Sequence, residues 1–368
     1  MKYTAITIAS FTFTSVTAFF PGFPGYAPPK AAQSNFLSEQ IEVGTMSLSP
    51  LGFGTLNLPL DKTQDDANAL DVMKTARAKG VNFIDTAEAY GFGKSESLTS
   101  WAAEEAGFTI GAAGVEDGCY IATKFAPVPW RPGAESVVQA CQASAQRLGV
   151  DSIDLYQIHW PDIIQPLKSI GIEKRKDEQY WDGLAQCYHQ GLAKNVGVSN
   201  YGPTMIKRAH KALADRGVPL VSNQINFSLV RYQSSLETIK VCEELGIQVL
   251  AYFPLGNGLL AGKYDLNDKS TLPTFPKSIT MKKYLKGSQT LLQEVQTIAT
   301  ANNVSCAQVS LNWIMKKGVI PIPGCRNGAH ALDNFASLDF VLSEEEVERL
   351  DVASMNSMEF SSGGFELE

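Results

Sequence analysis

The sequence predicts an α/β chain closed into a (β/α)8 TIM barrel, with a short N-terminal hairpin and a C-terminal helix. Three observations carry this. From about residue 41, short apolar runs alternate with amphipathic stretches through eight successive units. The apolar runs are short and end at Gly or loop residues, as strands buried on both faces do. No long linker interrupts residues 41–353. Eight parallel strands joined by right-handed crossovers close naturally into a barrel. The alternative is an open doubly wound sheet, which usually opens on a Gly-rich dinucleotide turn. Here the first turn, Gly52-Phe-Gly54-Thr-Leu-Asn, lacks the third Gly.

The elements follow in order. Residues 41–48 form the hairpin and 51–54 the first strand. Residues 65–79 place Ala69, Val72, Met73 and Ala76 on one helical face and stop at Gly80. The second to fifth strands fall at 81–84, 119–124, 153–158 and 193–198. Helices at 95–106, 134–147 and 178–190 separate them. A helix at 204–216, strand 221–225, helix 234–245 and strand 248–252 continue the alternation. A longer insertion then leads to helices at 288–302 and 305–317. Strand 319–322, a helix from 328 and a charged final helix at 343–352 complete the domain.

Net charge is −7, and no Lys/Arg cluster stands out. This disfavours a nucleic-acid or anionic-membrane partner. Cys119, Cys141, Cys187, Cys242, Cys306 and Cys325 are scattered without a Cys-x-x-Cys pair. They read as reduced thiols, with no metal-ligand spacing among Cys and His. Cys325 falls in a loop expected near a bound ligand, where a reactive thiol would be redox-sensitive.

Residues 1–38 contain no acid. Lys2 precedes an apolar stretch, and Val16-Thr-Ala18 offers small residues for cleavage. A Pro/Gly-rich, acid-free segment follows. Together they resemble a bipartite plastid presequence, with simple secretion as the alternative. The expected organisation is a targeting segment at 1–38 (signal peptide about 1–18), a barrel at 39–356 and a flexible tail at 357–368.

Four residues sit at or just past strand ends: Asp85, Tyr90, Lys124 and His159. A barrel brings the C-terminal ends of its strands to one face, so all four can reach one pocket. An ammonium beside a phenol stabilises the phenolate and makes Tyr a better acid. Lys124 can supply that charge, Asp85 can hold the lysine, and His159 can orient a carbonyl oxygen. Taken singly, His159 fits a satisfied core histidine, Lys124 a structural ion pair, Asp85 a turn cap and Tyr90 loop packing. In this order, at these strand ends, they point to a shared site. A P-loop reading of Gly91-Phe-Gly-Lys94-Ser95 fails because position 88 is Glu, not Gly.

With those residues in place, the chain resembles the aldo-keto reductases over about 41–353, and within them a plastid-associated plant and algal subgroup. The resemblance rests on Asn82-Phe-Ile-Asp-Thr-Ala-Glu-Ala-Tyr-Gly91, Asp154-Leu-Tyr-Gln-Ile-His-Trp-Pro161, Gly197-Val-Ser-Asn200, Ala251-Tyr-Phe-Pro-Leu-Gly256 and Ile320-Pro-Ile-Pro-Gly-Cys-Arg326. The subgroup likeness rests on Thr123-Lys-Phe-Ala-Pro-Val-Pro-Trp-Arg-Pro-Gly133.

The resemblance implies NADPH as cofactor and Tyr90 as general acid. It implies that Ser199, Asn200 and Gln224 grip the nicotinamide carboxamide and that Tyr252 stacks on the ring. It implies Leu255 and Gly256 along the pyrophosphate, Arg326 at the 2′-phosphate, and Asp333 and Asn334 at the adenine. Gly54, Thr55 and Gly324 complete the cofactor set. Phe253 stands where relatives often carry Ser, leaving backbone contacts to the pyrophosphate there. His330 stands where many carry Arg or Gln, and would make a 2′-phosphate contact pH-dependent. Trp130 and Trp160 are candidate walls of a substrate cleft, with core packing as the other reading. The implied activity is reduction of an aldehyde or ketone, pyridoxal among the candidates. The competing expectation is a non-catalytic, NADPH-sensing accessory subunit of a membrane protein.

Overall fold

The computed structural model describes residues 35–58, 63–111, 117–131, 133–163 and 175–359. The expected presequence up to residue 34 and the tail from residue 360 lie outside the described residues.

Eight parallel strands form the barrel: β3 (Phe53–Gly54), β4 (Phe83–Asp85), β6 (Gly118–Phe125), β7 (Leu155–Ile158), β8 (Val196–Ser199), β9 (Leu220–Asn226), β10 (Gln248–Tyr252) and β11 (Ile320–Pro321). Closure joins β3 to the β11 region. Gly52 N–H donates to Pro321 O and Gly54 N–H to Pro323 O, both at 3.0 Å. The barrel expectation holds and the open sheet is set aside.

Helices wrap the outside. These are α1 (Thr63–Ala78), α2 (Lys94–Glu105), α3 (Gly133–Leu148), α4 (Asp177–His189), α5 (Pro203–Ala214) and α6 (Tyr232–Glu244). They continue as α7 (Lys277–Gly287), α8 (Gln289–Asn302), α9 (Cys306–Lys316), α10 (Gly328–Phe335) and α11 (Glu344–Met355). In α1 the expected face, Ala69, Val72, Met73 and Ala76, is fully buried. The helix ends where Gly80 adopts φ +69°, a left-handed turn that Gly reaches without a Cβ clash.

Two elements were not expected. The insertion after β10 contains α7, whose sequence is Lys-rich and only weakly periodic. A two-residue strand, β5 (Thr109–Ile110), pairs with the outer end of β6.

The barrel interior is layered. Alternation along each strand sends residues two apart to the same side. The antiparallel hairpin β1 (Ile41–Val43) and β2 (Met46–Leu48) forms the floor. Its Val43, Met46 and Leu48 pack with Phe83, Tyr120, Leu155, Leu250 and Ile320. Asn195 fastens it, accepting from Thr45 N–H at 2.9 Å and donating to Asp154 O at 2.9 Å. Above them lie Asp85 and Gln157, two residues past Phe83 and Leu155, and Lys124, four past Tyr120. Phe36, just ahead of the expected domain start, is buried and donates its N–H to Leu338 O at 2.9 Å.

Candidate active site

A cleft of about 200 Å³ opens at the C-terminal ends of the strands. The strand register builds it. Gly54 pairs with Asp85, Lys124 with Gln157, Gln157 with Gly197, and Ser199 with Gln224. Consecutive strands thus deliver polar side chains to one level. Of the expected residues, Gly54, Asp85, Tyr90, His159, Trp160, Ser199, Asn200, Gln224, Tyr252 and Gly324 line the cleft.

Lys124 lies beneath it, with no exposed surface. Its Nζ donates to Asp85 Oδ1 at 2.5 Å, to Thr86 O at 2.8 Å and to Tyr90 Oη at 3.5 Å. Asp85 Oδ2 accepts from Gln224 Nε2 at 2.8 Å and from Gln157 Nε2 at 3.4 Å. Burial would push the Lys124 ammonium down, but Asp85 and then Tyr90 outweigh it, so its pKa is raised. The lysine is therefore a fixed positive charge.

Tyr90 departs from expectation. Lys124 favours its phenolate, but burial counts for more and Asp85 adds to it, so the phenol's pKa is raised. Desolvation is the larger of the two effects here, and no charge pattern in the sequence reveals it. The outcome suits a donor, which must hold its proton until it is needed. His159 goes the other way. Burial, then the Lys124 charge, holds its imidazole well below the usual histidine range, so it is neutral at pH 7. Its Nδ1 has no partner among the described residues. The Tyr90 and His159 rings meet edge to face at 5.8 Å, and the Trp160 ring lies 4.6 Å from that of His159.

Asn200 is a fastening point. It sits at φ +64°, a left-handed conformation Asn tolerates. Its Nδ2 donates to His159 O at 2.9 Å and its Oδ1 accepts from Tyr252 Oη at 2.6 Å. Ser199 Oγ donates to Gln224 O at 2.9 Å. These residues hold one another, so any grip on a ligand exchanges some of these bonds. Gly197 gives Gln157 and Ser222 their room: a Cβ there would lie 2.3 Å from Ser222 Oγ.

Other expected residues stand apart from this cleft. Thr55 is buried and shares a 2.9 Å hydrogen bond with Ser95 Oγ. Leu255 and Gly256 follow β10, with Gly256 at φ +54°. Arg326 and His330 are exposed around the start of α10. Asp333 Oδ1 accepts from Gln308 Nε2 at 2.8 Å, and Asn334 Nδ2 donates to Cys325 Sγ at 3.4 Å. Cys325 is fully buried, and burial pushes its thiol up to about 12, so the expected reactive thiol is absent. Trp130 does not line the cleft, its side chain being 77 % exposed. The loop carrying it is pinned by Arg131 on Glu88 and by Trp160 Nε1 on Pro127 O at 3.1 Å.

Leu56, Asn57, Gln157 and Ile322 were missed as cleft or network residues, and Phe253, expected only for its backbone, lines the cleft as well. The period of two that turns His159 inward also turns Gln157 inward, so that one was readable.

As to what could be held here, Gly54 and Gly324 bring bare backbone to the wall and Tyr252 presents an aromatic ring. A Cβ on Gly324 would lie 2.3 Å from Asn57 Nδ2. Bare backbone beside an aromatic wall fits a flat heteroaromatic ring such as nicotinamide. Among the described residues no cluster of potential metal ligands occurs, and no helix is long and apolar enough to cross a membrane.

Comparison with known proteins agrees with this architecture. A sequence model described as "Aldo/keto reductase family" matches residues 50–354. The chain is 37% identical over 330 residues to a chloroplastic pyridoxal reductase of Arabidopsis thaliana, covering 87% of each. Among solved structures, an aldo-keto reductase of Klebsiella pneumoniae in complex with NADPH aligns with TM-score 0.66 at 22% identity. That alignment covers 90% of this chain and 99% of that one. An aldo/keto reductase from Klebsiella pneumoniae in complex with NADP and acetate gives TM-score 0.65 at 24% identity, over 85% and 94%. With the barrel, the polar layer beneath its mouth and a family match spanning most of its length, this chain belongs to the aldo/keto reductase family.

Proposed function

We propose that the protein is an NADPH-dependent reductase of aldehydes or ketones, with Tyr90 as general acid. The observation that carries this is the buried Asp85–Lys124 pair ending 3.5 Å from Tyr90 Oη, with a neutral His159 beside it. Relatives whose names state pyridoxal reductase activity or a bound NADP(H) support it. When bound, NADPH supplies a hydride to the carbonyl carbon.

The chain's own residues do the rest. Tyr252, Gly54 and Gly324 would take the nicotinamide end. Arg326 would face the 2′-phosphate as a planar fork. His159 donates a hydrogen bond to the carbonyl oxygen and fixes its direction. Tyr90 passes its Oη proton to that oxygen. Lys124 stabilises the phenolate left behind, and Asp85, held by two glutamine amides, keeps the ammonium in place. Positioned acid catalysis of this kind contributes roughly 10²–10⁴-fold.

The test is loss of NADPH absorbance with pyridoxal, an aromatic aldehyde and a lipid enal, on the parent and on Tyr90→Phe. Turnover that collapses in the variant supports the reading. NADPH binding without turnover on any aldehyde would move it to the accessory role. We also propose that residues 1–38 direct the barrel at 39–356 to a plastid, for which the chloroplastic relative is the support. A fluorescent fusion of that segment found in the secreted fraction would overturn the address.

A further inference from the structure

Arg231 is a charged side chain for which the reaction above has no use. It ends a short turn, Leu229–Arg231, between β9 and α6. The residue is partly buried, and its Nε is buried without a hydrogen-bond partner. No carboxylate among the described residues forms an ion pair with it. A guanidinium whose Nε is buried without a partner loses a hydrogen bond there, and such a group is usually satisfied by something that binds.

Its surroundings say where that partner would lie. The end of β9 is in register with the end of β10, Asn226 opposite Tyr252. The neighbouring Val230 reaches the loop after β10, since a Cβ on Gly256 would be 3.1 Å from Val230 Cγ2. That loop runs through left-handed Phe253, Gly256 and Asn257, and Phe253 offers no hydroxyl. Burial pushes the Tyr252 phenol up to about 12, and the Arg231 charge pulls against it, so the guanidinium acts on the cleft wall. The first turn of α6, which Arg231 precedes, carries no acid to compete.

We propose that Arg231 is an oxyanion-binding residue at the Tyr252 edge of the cleft, receiving a phosphate or carboxylate oxygen of a bound molecule. Two sources share that chemistry: the diphosphate of the dinucleotide and an acidic group on the carbonyl substrate. The dinucleotide arm rests on the function proposed above. The anion-binding arm does not.

The experiment uses the full-length protein and Arg231→Met, which keeps the aliphatic stem. Inorganic pyrophosphate and benzoate are tested first as probes, by thermal shift. Protection in the parent that is lost in Arg231→Met is the expected result and needs no dinucleotide. Next, Kd is measured for NADPH and for NADH. If the diphosphate is the source, both Kd values rise by the same factor, roughly 10- to 100-fold for a hydrogen bond to a charged group. Arg326→Met, in contrast, would weaken NADPH alone. If the substrate is the source, both Kd values hold and KM rises only for 4-carboxybenzaldehyde, not for 4-methylbenzaldehyde.

Ligand-free Arg231→Met is expected to melt at the same temperature as the parent or higher, because an unpaired charge has been removed. Unchanged probe protection, unchanged Kd and unchanged KM together would overturn the proposal. So would a Tm several degrees lower, which marks a structural arginine. Failure of the parent to bind either dinucleotide would instead count against the proposed function.

Discussion

Replacing Lys124 with Met isolates the part of the acid that the sequence pointed to and the structure qualifies. Lys124 Nζ lies 3.5 Å from Tyr90 Oη. Unit charges at that distance interact by about 5 kcal/mol at an effective dielectric of about 20. With roughly half a charge on the phenol oxygen in the transition state, the loss is about 2.5 kcal/mol, or roughly 50- to 100-fold in kcat. The substitution also strands Asp85. Removing one partner of a buried pair costs about 3–5 kcal/mol of stability. The double variant Lys124→Met with Asp85→Asn removes both charges and leaves Gln157 and Gln224 their acceptor. It should recover most of the lost Tm yet keep part of the loss in kcat, because Asp85→Asn also removes a charge that opposes the phenolate. The assay is NADPH-coupled reduction of one aldehyde, with Kd for the dinucleotide and Tm measured on the same preparations. A folded, dinucleotide-binding double variant within about threefold of parental kcat would refute the charge argument.

Four further outcomes follow. Tyr90→Phe should lower kcat by roughly 10²–10⁴-fold while leaving dinucleotide Kd unchanged, read by fluorescence titration. The reductive pH profile should be flat between pH 6 and 9. The Tyr90 phenol is raised, so its protonated form persists across that window, and His159 is lowered, so it stays neutral there. A limb near pH 6.5 would refute the histidine assignment. Gly197→Ala should cost about 1–3 kcal/mol by overpacking against Ser222 and Gln157, seen as a lower denaturation midpoint. In the native protein a thiol reagent should label Cys306 first, since the other five cysteines are buried. Rapid labelling of Cys325 would contradict its burial.

Much of the fold was legible because the barrel repeats one local rule. Each strand is a short apolar run, and each helix shows a face such as that of α1. What escaped was local and weakly patterned. The two residues of β5 leave no period to detect, and α7 hides in a Lys-rich insertion. The four pocket residues were legible because strand ends in a barrel converge wherever the chain is cut. Burial was not. It turned Tyr90 against the shift that Lys124 alone would give, and it silenced Cys325. Nor does sequence order tell which way a loop tryptophan faces, so Trp160 lines the cleft while Trp130 points outward. Asp333 and Asn334, expected at the adenine, bind Gln308 and Cys325 in the structure.

The hairpin floor sets a limit on how the N-terminus can be processed. A protease that trims a leader as far as Asn35 leaves the Phe36 tether to Leu338 and both hairpin strands untouched. One that cuts beyond Leu48 removes Val43, Met46 and Leu48 from the floor of the lumen and opens the barrel to water from below. The hairpin plug thus sets how far the N-terminus can be trimmed, and affinity tags or reporter fusions belong upstream of it.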